Sequence, residues 1–167
     1  MRLIEPYIME LDREASSTRK MLERVPEGKN EWAPHPKSMT LGKLATHVAT
    51  IPSWASSLKE DGFDIGVNSV DVPFPPPTAV GLLALFDKTI AEAKAALNAI
   101  DDARAMGLWT LSMKGKPVFS MPRLAVVRTM ILNHSVHHRG QLSVYLRLLD
   151  VPVPGMYGPS ADENPFA

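Results

Sequence analysis

Apolar residues recur over the first 25 positions at alternating steps of four and three: Ile4, Ile8, Leu11, Ala15, Thr18, Leu22 and Val25. That spacing draws one stripe down a bundle helix, which Pro26-Glu27-Gly28 ends. A loop rich in proline and polar residues follows over 29–37. Ser38 or Thr40 then suits the N-cap of a second helix, with Leu44, Val48, Ile51, Ala55 and Leu58 on its apolar face. Pro52 falls inside this helix and should kink it, since it cannot donate to the carbonyl of Val48. Residues 60–77 read as a long crossing connection containing Gly62, Gly66 and the rigid run Pro73-Phe74-Pro75-Pro76-Pro77. Thr78 caps a third helix with the seam Leu83, Phe86, Ile90, Ala93, Leu97 and Ile100, closed by Asp101-Asp102. Trp109 to Met113 and Val118-Phe119, on either side of Lys114-Gly115-Lys116-Pro117, suggest a short hairpin. The fourth helix starts near Met121-Pro122, where proline suits the first turn, and runs to about Asp150. The tail, rich in proline and glycine, is expected to lie over the helices. Three of the helices reach about 20 residues or more, and the pattern predicts an all-α fold, a four-helix bundle in a single domain over 1–167. The long link between the second and third helices allows a crossover.

The fourth helix carries the chemistry. His134 and His138 stand four residues apart and project from one face, one turn above the other. With His134 as zero, Val127, Ile131, Leu142, Tyr145 and Leu149 fall within roughly 80° of it, His138 at about +40° and Gln141 at about −20°. Imidazoles in an apolar seam need partners, because burying them unsatisfied costs free energy. His47 lies on the apolar face of the second helix, about 40° from Ile51 and 60° from Leu44. It can supply a third nitrogen to the same point, in the way bundle cores build metal sites from facing helices. His137, about −60° from His134, sits at the edge of the stripe and suits a hydrogen bond or subunit contact better than ligation. His35, in a loop between prolines, is expected to be exposed or capping.

Residue types exclude several alternatives. Ser135 stands where a zinc protease of the His-Glu-x-x-His pattern needs its glutamate. The helical seams offer no Glu-x-x-His pairs or further glutamates for a di-iron site. Two histidines four apart on one helix cannot reach opposite faces of a haem. A mononuclear site of three imidazoles remains.

Composition narrows the setting. Eighteen basic residues balance eighteen acidic ones, so there is no net basic field to attract nucleic acid. The absence of cysteine rules out disulfides, thiolate ligands and a cysteine nucleophile, so any thiol chemistry takes its thiol from a small molecule. No stretch has the form of a signal peptide or the length of a membrane span, and a soluble cytoplasmic protein is expected.

The histidine within Leu41-Gly42-Lys43-Leu44-Ala45-Thr46-His47, the run His134-Ser135-Val136-His137-His138-Arg139-Gly140-Gln141-Leu142 and the order of segments resemble the DinB-like family of metal-binding four-helix bundles. The resemblance implies His47, His134 and His138 as metal ligands, an up-down-down-up bundle and a homodimer. It also implies a divalent metal, zinc or nickel, and in some relatives activation of a low-molecular-weight thiol.

Three neutral imidazoles leave a divalent ion at least one open position, the mark of a reactive site. Such an ion lowers the pKa of a bound water to near 7 or holds a thiol as thiolate. Zinc comes first, with nickel and iron also suited to imidazole. Gln141, Asn133 or His137 are placed to orient a ligand's free N–H. Arg139, about 140° from His134, is expected to face solvent or a partner subunit. Tyr145 reads as core, and Trp32 and Trp54 either line a pocket near His47 or pack as core. Tyr157, Asp162 and Glu163 of the tail either fold over the metal as lid or base, or stay solvated. No catalytic residue is assigned. Two functions fit: a metal-dependent transferase or hydrolase acting on a small molecule with activated thiol or water, or a non-catalytic metal-binding bundle serving as sensor, scaffold or small-ligand binder.

Overall fold

A computed structural model describes residues 1–67 and 78–164, so the run Pro73-Phe74-Pro75-Pro76-Pro77 and the end of the tail lie outside the described residues. Helix α1 spans Glu5–Leu22, with Pro6 in its first turn, where no backbone N–H is needed. Helix α2 spans Leu41–Thr50, and of the two expected caps Thr40 is the one used: its hydroxyl accepts from the Lys43 N–H. Pro52 then acts more strongly than a kink. The α-helix stops at Thr50 and a 3₁₀ segment, Ile51–Lys59, carries the chain on. Ile51, Pro52, Ala55 and Leu58 remain buried along it.

Helix α3 spans Ala79–Asn98, capped by Thr78 as expected, with the Thr78 hydroxyl accepting from Gly81 N at 3.1 Å. Its buried positions are Leu82, Phe86, Thr89, Ala93 and Leu97, so Leu82 takes the place expected of Leu83. Asp101 does not close this helix. Its carboxylate caps a short new one, α4 (Asp102–Met106), by accepting from Arg104 N at 2.7 Å.

The all-α expectation is corrected by a three-stranded sheet in the order β1-β2-β3. Strands β2 (Leu108–Met113) and β3 (Lys116–Pro122) form the expected hairpin, antiparallel, with Trp109 opposite Met121. Lys114 and Gly115 both take positive φ, 50° and 77°, as a tight hairpin turn of matching twist requires. Strand β1, Gly62–Asp64, was not expected; it pairs in parallel with β2. Three residues are too few to show alternation, and the strand is held from its end instead. The Asp64 carboxylate accepts from Gly115 N at 2.6 Å, Gly66 N at 2.8 Å and Lys114 N at 2.9 Å. Those backbone donors, Gly115 first, lower its pKa. Arg123, 2% exposed, fastens the sheet to the 3₁₀ segment by donating to the carbonyls of Leu58, Glu60 and Leu108 and to the Asp61 carboxylate.

The expected fourth helix is continuous in space but changes winding twice. It opens as α5 (Arg123–Val126), later than Met121-Pro122 because those residues still pair in β3. A π-helical segment, Val127–Asn133, comes next, and then α6, His134–Leu148. Helices α1 and α2 each pack against α3 and α6. The apolar core falls into two clusters. One gathers Ile4, Leu11, Leu58, Leu97, Trp109, Ile131 and Leu132 towards the sheet. The other gathers Leu22, Leu41, Leu44, Val48, Phe86, Leu142 and Leu146. Glu14 and Thr18 of α1 and Ser135 and Arg139 of α6, all buried, fall between these clusters along their helices. Among the described residues no helix is long and apolar enough to cross a membrane.

Candidate metal centre

Two helices set the site. His47 lies one turn from the end of α2, and His134 is the first residue of α6, directly after the π segment. A π turn closes i→i+5 bonds and holds about one residue more than an α turn, so it shifts the phase of the helix beyond it. The buried residues of α6 are Ser135, Arg139, Leu142, Tyr145 and Leu146. From His134 these fall at about +100°, +140°, +80°, +20° and +120°. The buried face is therefore centred near Ser135, and His134 and His138 stand at its edge, each partly exposed.

The three expected imidazoles meet there. One nitrogen each from His47, His134 and His138 lies within 4.8 Å of the others, a spacing that could hold a metal ion. His47 Nε2 and His134 Nε2 are 3.0 Å apart. The His47 ring centroid is 4.4 Å from that of His138, and the His134 and His138 centroids are 4.5 Å apart. His138 Nδ1 is 2.7 Å from Gln141 Oε1. An amide oxygen only accepts, so Nδ1 carries the proton and Nε2 is left with its lone pair free. Gln141 thus sits where the sequence suggested, fixing the tautomer of His138. Replacing Gln141 with Ala should weaken metal binding by about 10–100-fold, whereas Gln141→Glu, which still accepts, should retain it. Calorimetric titration with zinc separates these outcomes.

Burial, then the neighbouring His138 and His134, lowers the pKa of His47 to about 4. Burial, then His138 and His137, lowers that of His134 to about 4. His138 is also lowered, chiefly by burial, with its bond to Gln141 opposing. All three are neutral donors at pH 7, as ligation demands. The same shifts bear on stability. In the unfolded chain the two stronger cases protonate near 6.5, while the fold keeps them neutral down to about 4. The unfolded state therefore binds more protons between those values, so metal-free protein loses stability as pH falls from about 6.5 to about 4. Thermal melts across that window should show the decline, and His47→Gln should lessen it, leaving the share due to His134.

The other candidates divide. His137 is exposed and outside the triad, its ring 4.8 Å from that of His138; Asn133 is exposed as well. The His35 loop residue is exposed, its Nδ1 accepting from Lys37 N at 3.1 Å. Tyr145 is core, its hydroxyl donating to the Met39 carbonyl. Trp32 packs edge-on against Tyr145, with centroids 5.6 Å apart, while Trp54 is at the site, 5.8 Å from His47 and 5.1 Å from His134.

Arg139 requires the largest correction. It points inward, 2% exposed, where solvent or a partner was expected. Its Nη2 donates to Glu14 Oε2 at 2.6 Å, and its Nη1 to the Glu14 carbonyl and Thr18 Oγ1, each at 3.0 Å. Glu14, expected on no helical seam, is buried with it. The Tyr157 hydroxyl completes the group, donating to Glu14 Oε2 at 2.7 Å and accepting from Arg139 at 2.6 Å. Burial and that bond to Glu14 raise the Tyr157 pKa. Tyr157 thus serves α1 and α6, not a lid over the histidines. Asp162 pairs with Arg147, and Glu163 with Arg24 at 2.8 Å, so neither tail carboxylate is a base at the triad.

The model of the DinB family matches residues 6–165. The uncharacterized protein YrdA of Bacillus subtilis (strain 168) is 24% identical, across 96% of this chain and 91% of its own length. A DinB-like protein of known structure from Bacillus cereus ATCC 10987 superposes with a TM-score of 0.70 at 28% identity, covering 92% of this chain and 97% of its own. A second, YjoA of Bacillus subtilis, gives 0.69 at 18% identity over 88% and 96% of the two chains and speaks to the fold alone.

Proposed function

Because the chain belongs to the DinB family, we propose that His47, His134 and His138 hold one divalent cation, and that this centre serves a transferase or hydrolase acting on a small molecule. The carrying observation is the convergence of three imidazole nitrogens from two helices within 4.8 Å. Zinc is the first choice, with nickel and iron also compatible with an all-imidazole set. When bound, the cation supplies Lewis acidity to an incoming thiol or water. The chain's own residues do the rest. Gln141 orients His138, burial keeps His47 and His134 unprotonated at neutral pH, and the partial exposure of all three rings leaves the centre open to an exchangeable ligand. With no cysteine in the chain, a thiol co-substrate would be a low-molecular-weight one. That openness favours catalysis over a purely scaffolding or sensing role.

The same reading takes 1–167 as one domain in an up-down-down-up four-helix arrangement. It takes the protein as a cytoplasmic homodimer with neither nucleic acid nor membrane as partner. Metal analysis tests the centre: cobalt should saturate at one equivalent per chain and quench tryptophan emission, with most of the quenching lost in Trp54→Phe. Turnover assays of the zinc form with several thiols and electrophiles then test catalysis. A protein that binds no zinc, nickel, iron or cobalt would overturn the reading. A loaded protein inert to every thiol and to water would leave only the binding role.

A further inference from the structure

Trp54 is set apart from the other two tryptophans. Trp109 is 4% exposed and donates its indole N–H to the Ser57 carbonyl at 3.2 Å. Trp32 packs edge-on against Tyr145. Trp54 is 36% exposed on a 3₁₀ segment whose other apolar residues, Ile51, Ala55 and Leu58, are 0% exposed. Its ring contacts fall on two of the three candidate ligands, His47 and His134, at interplanar angles of 64° and 57°. Neither imidazole stacks flat on it. An indole left partly in water beside an open site forgoes apolar burial that a ligand would restore.

The charge of the site points to the other end of that ligand. Three imidazoles bring no negative charge, and among the described residues no carboxylate joins the set. A divalent ion there keeps both of its positive charges and favours an anion as its next ligand. An anionic head at the triad and a flat apolar body on Trp54 describe one small molecule.

We propose that Trp54 is a specificity-determining residue: a platform for the ring of an aryl-bearing monoanion whose charged head goes to the triad. This rests on reading the triad as a metal site. Acetohydroxamate and benzohydroxamate, which share a head and differ in the ring, are suitable probes. Their binding to the zinc-loaded full chain is read by calorimetry, and zinc content is measured in parallel. An aromatic contact of this kind should favour benzohydroxamate by about tenfold. Trp54→Ala should remove that preference while leaving zinc content and acetohydroxamate affinity within about twofold, and Trp54→Phe should keep most of it. Equal affinity of the wild-type protein for the two probes, or a preference that survives in Trp54→Ala with zinc still bound, overturns the proposal. Wild-type protein that takes up no zinc overturns the metal reading itself, and the proposal falls with it.

Discussion

Replacing His134 with Ala should reduce bound zinc from one equivalent per chain to a trace at micromolar protein. His47→Ala and His138→Ala should do the same. On the proposed ligand set each imidazole would supply one of three donors, so its loss would leave two on a centre already short of a full tetrahedral set. The expected weakening exceeds the roughly 10–100-fold attached to residues that only orient ligands, which separates these variants from Gln141→Ala. His137→Ala is the control. Its ring touches that of His138 but is not part of the converging set, and its zinc content should match wild type. Metal lost from His137→Ala and retained in His47→Ala would overturn the assignment. The fold should survive all four substitutions, because the rings replaced stand at the edge of the core and the apolar clusters on either side stay intact.

The second large effect lies inside α6. Arg139→Met should destabilise the protein by about 3–5 kcal/mol, since it leaves the Glu14 carboxylate buried without its cation. For a chain of this size that lowers Tm by on the order of 10 °C. Glu14→Leu should cost a similar amount for the converse reason. The pair Glu14→Leu with Arg139→Met should recover most of the loss, because a buried ion pair replaced by apolar groups of similar volume is often neutral. Chemical denaturation of the two single variants and the double variant measures this coupling directly. Additive losses would show that the two side chains act independently, against the 2.6 Å contact between them.

The helices were legible because apolar steps of three and four place one face inward whatever that face packs against. Thr40, Thr78 and the Lys114-Gly115 turn were legible because local backbone chemistry decides them. The triad was legible for a related reason: imidazoles on apolar stripes are few in this chain, and spacing alone brings two of them together. The buried ion pair was not. Charged side chains belong outside by default, and a uniform count of 100° per residue, blind to the π segment, aligned Val127 and Ile131 with His134 when the inward face of α6 is centred near Ser135. A signal was nonetheless present. Arg139 is four after Ser135 and three before Leu142, and Glu14 is three after Leu11 and four before Thr18. The two opposite charges therefore share the spacing of their buried neighbours. The parallel strand Gly62–Asp64 had no such local trace, because hydrogen bonds to a hairpin some 50 residues later hold it.

His47 and His134 stand 87 positions apart along the chain. A cation gripped by both, as proposed, would work as a removable clasp, joining distant stretches in a chain that contains no cysteine to do so. Unlike a disulfide, it would bind the native form alone, and so add resistance to heat that grows with the supply of free metal. Chelation would remove that protection, so the lifetime of the folded molecule would follow the metal supply of its surroundings.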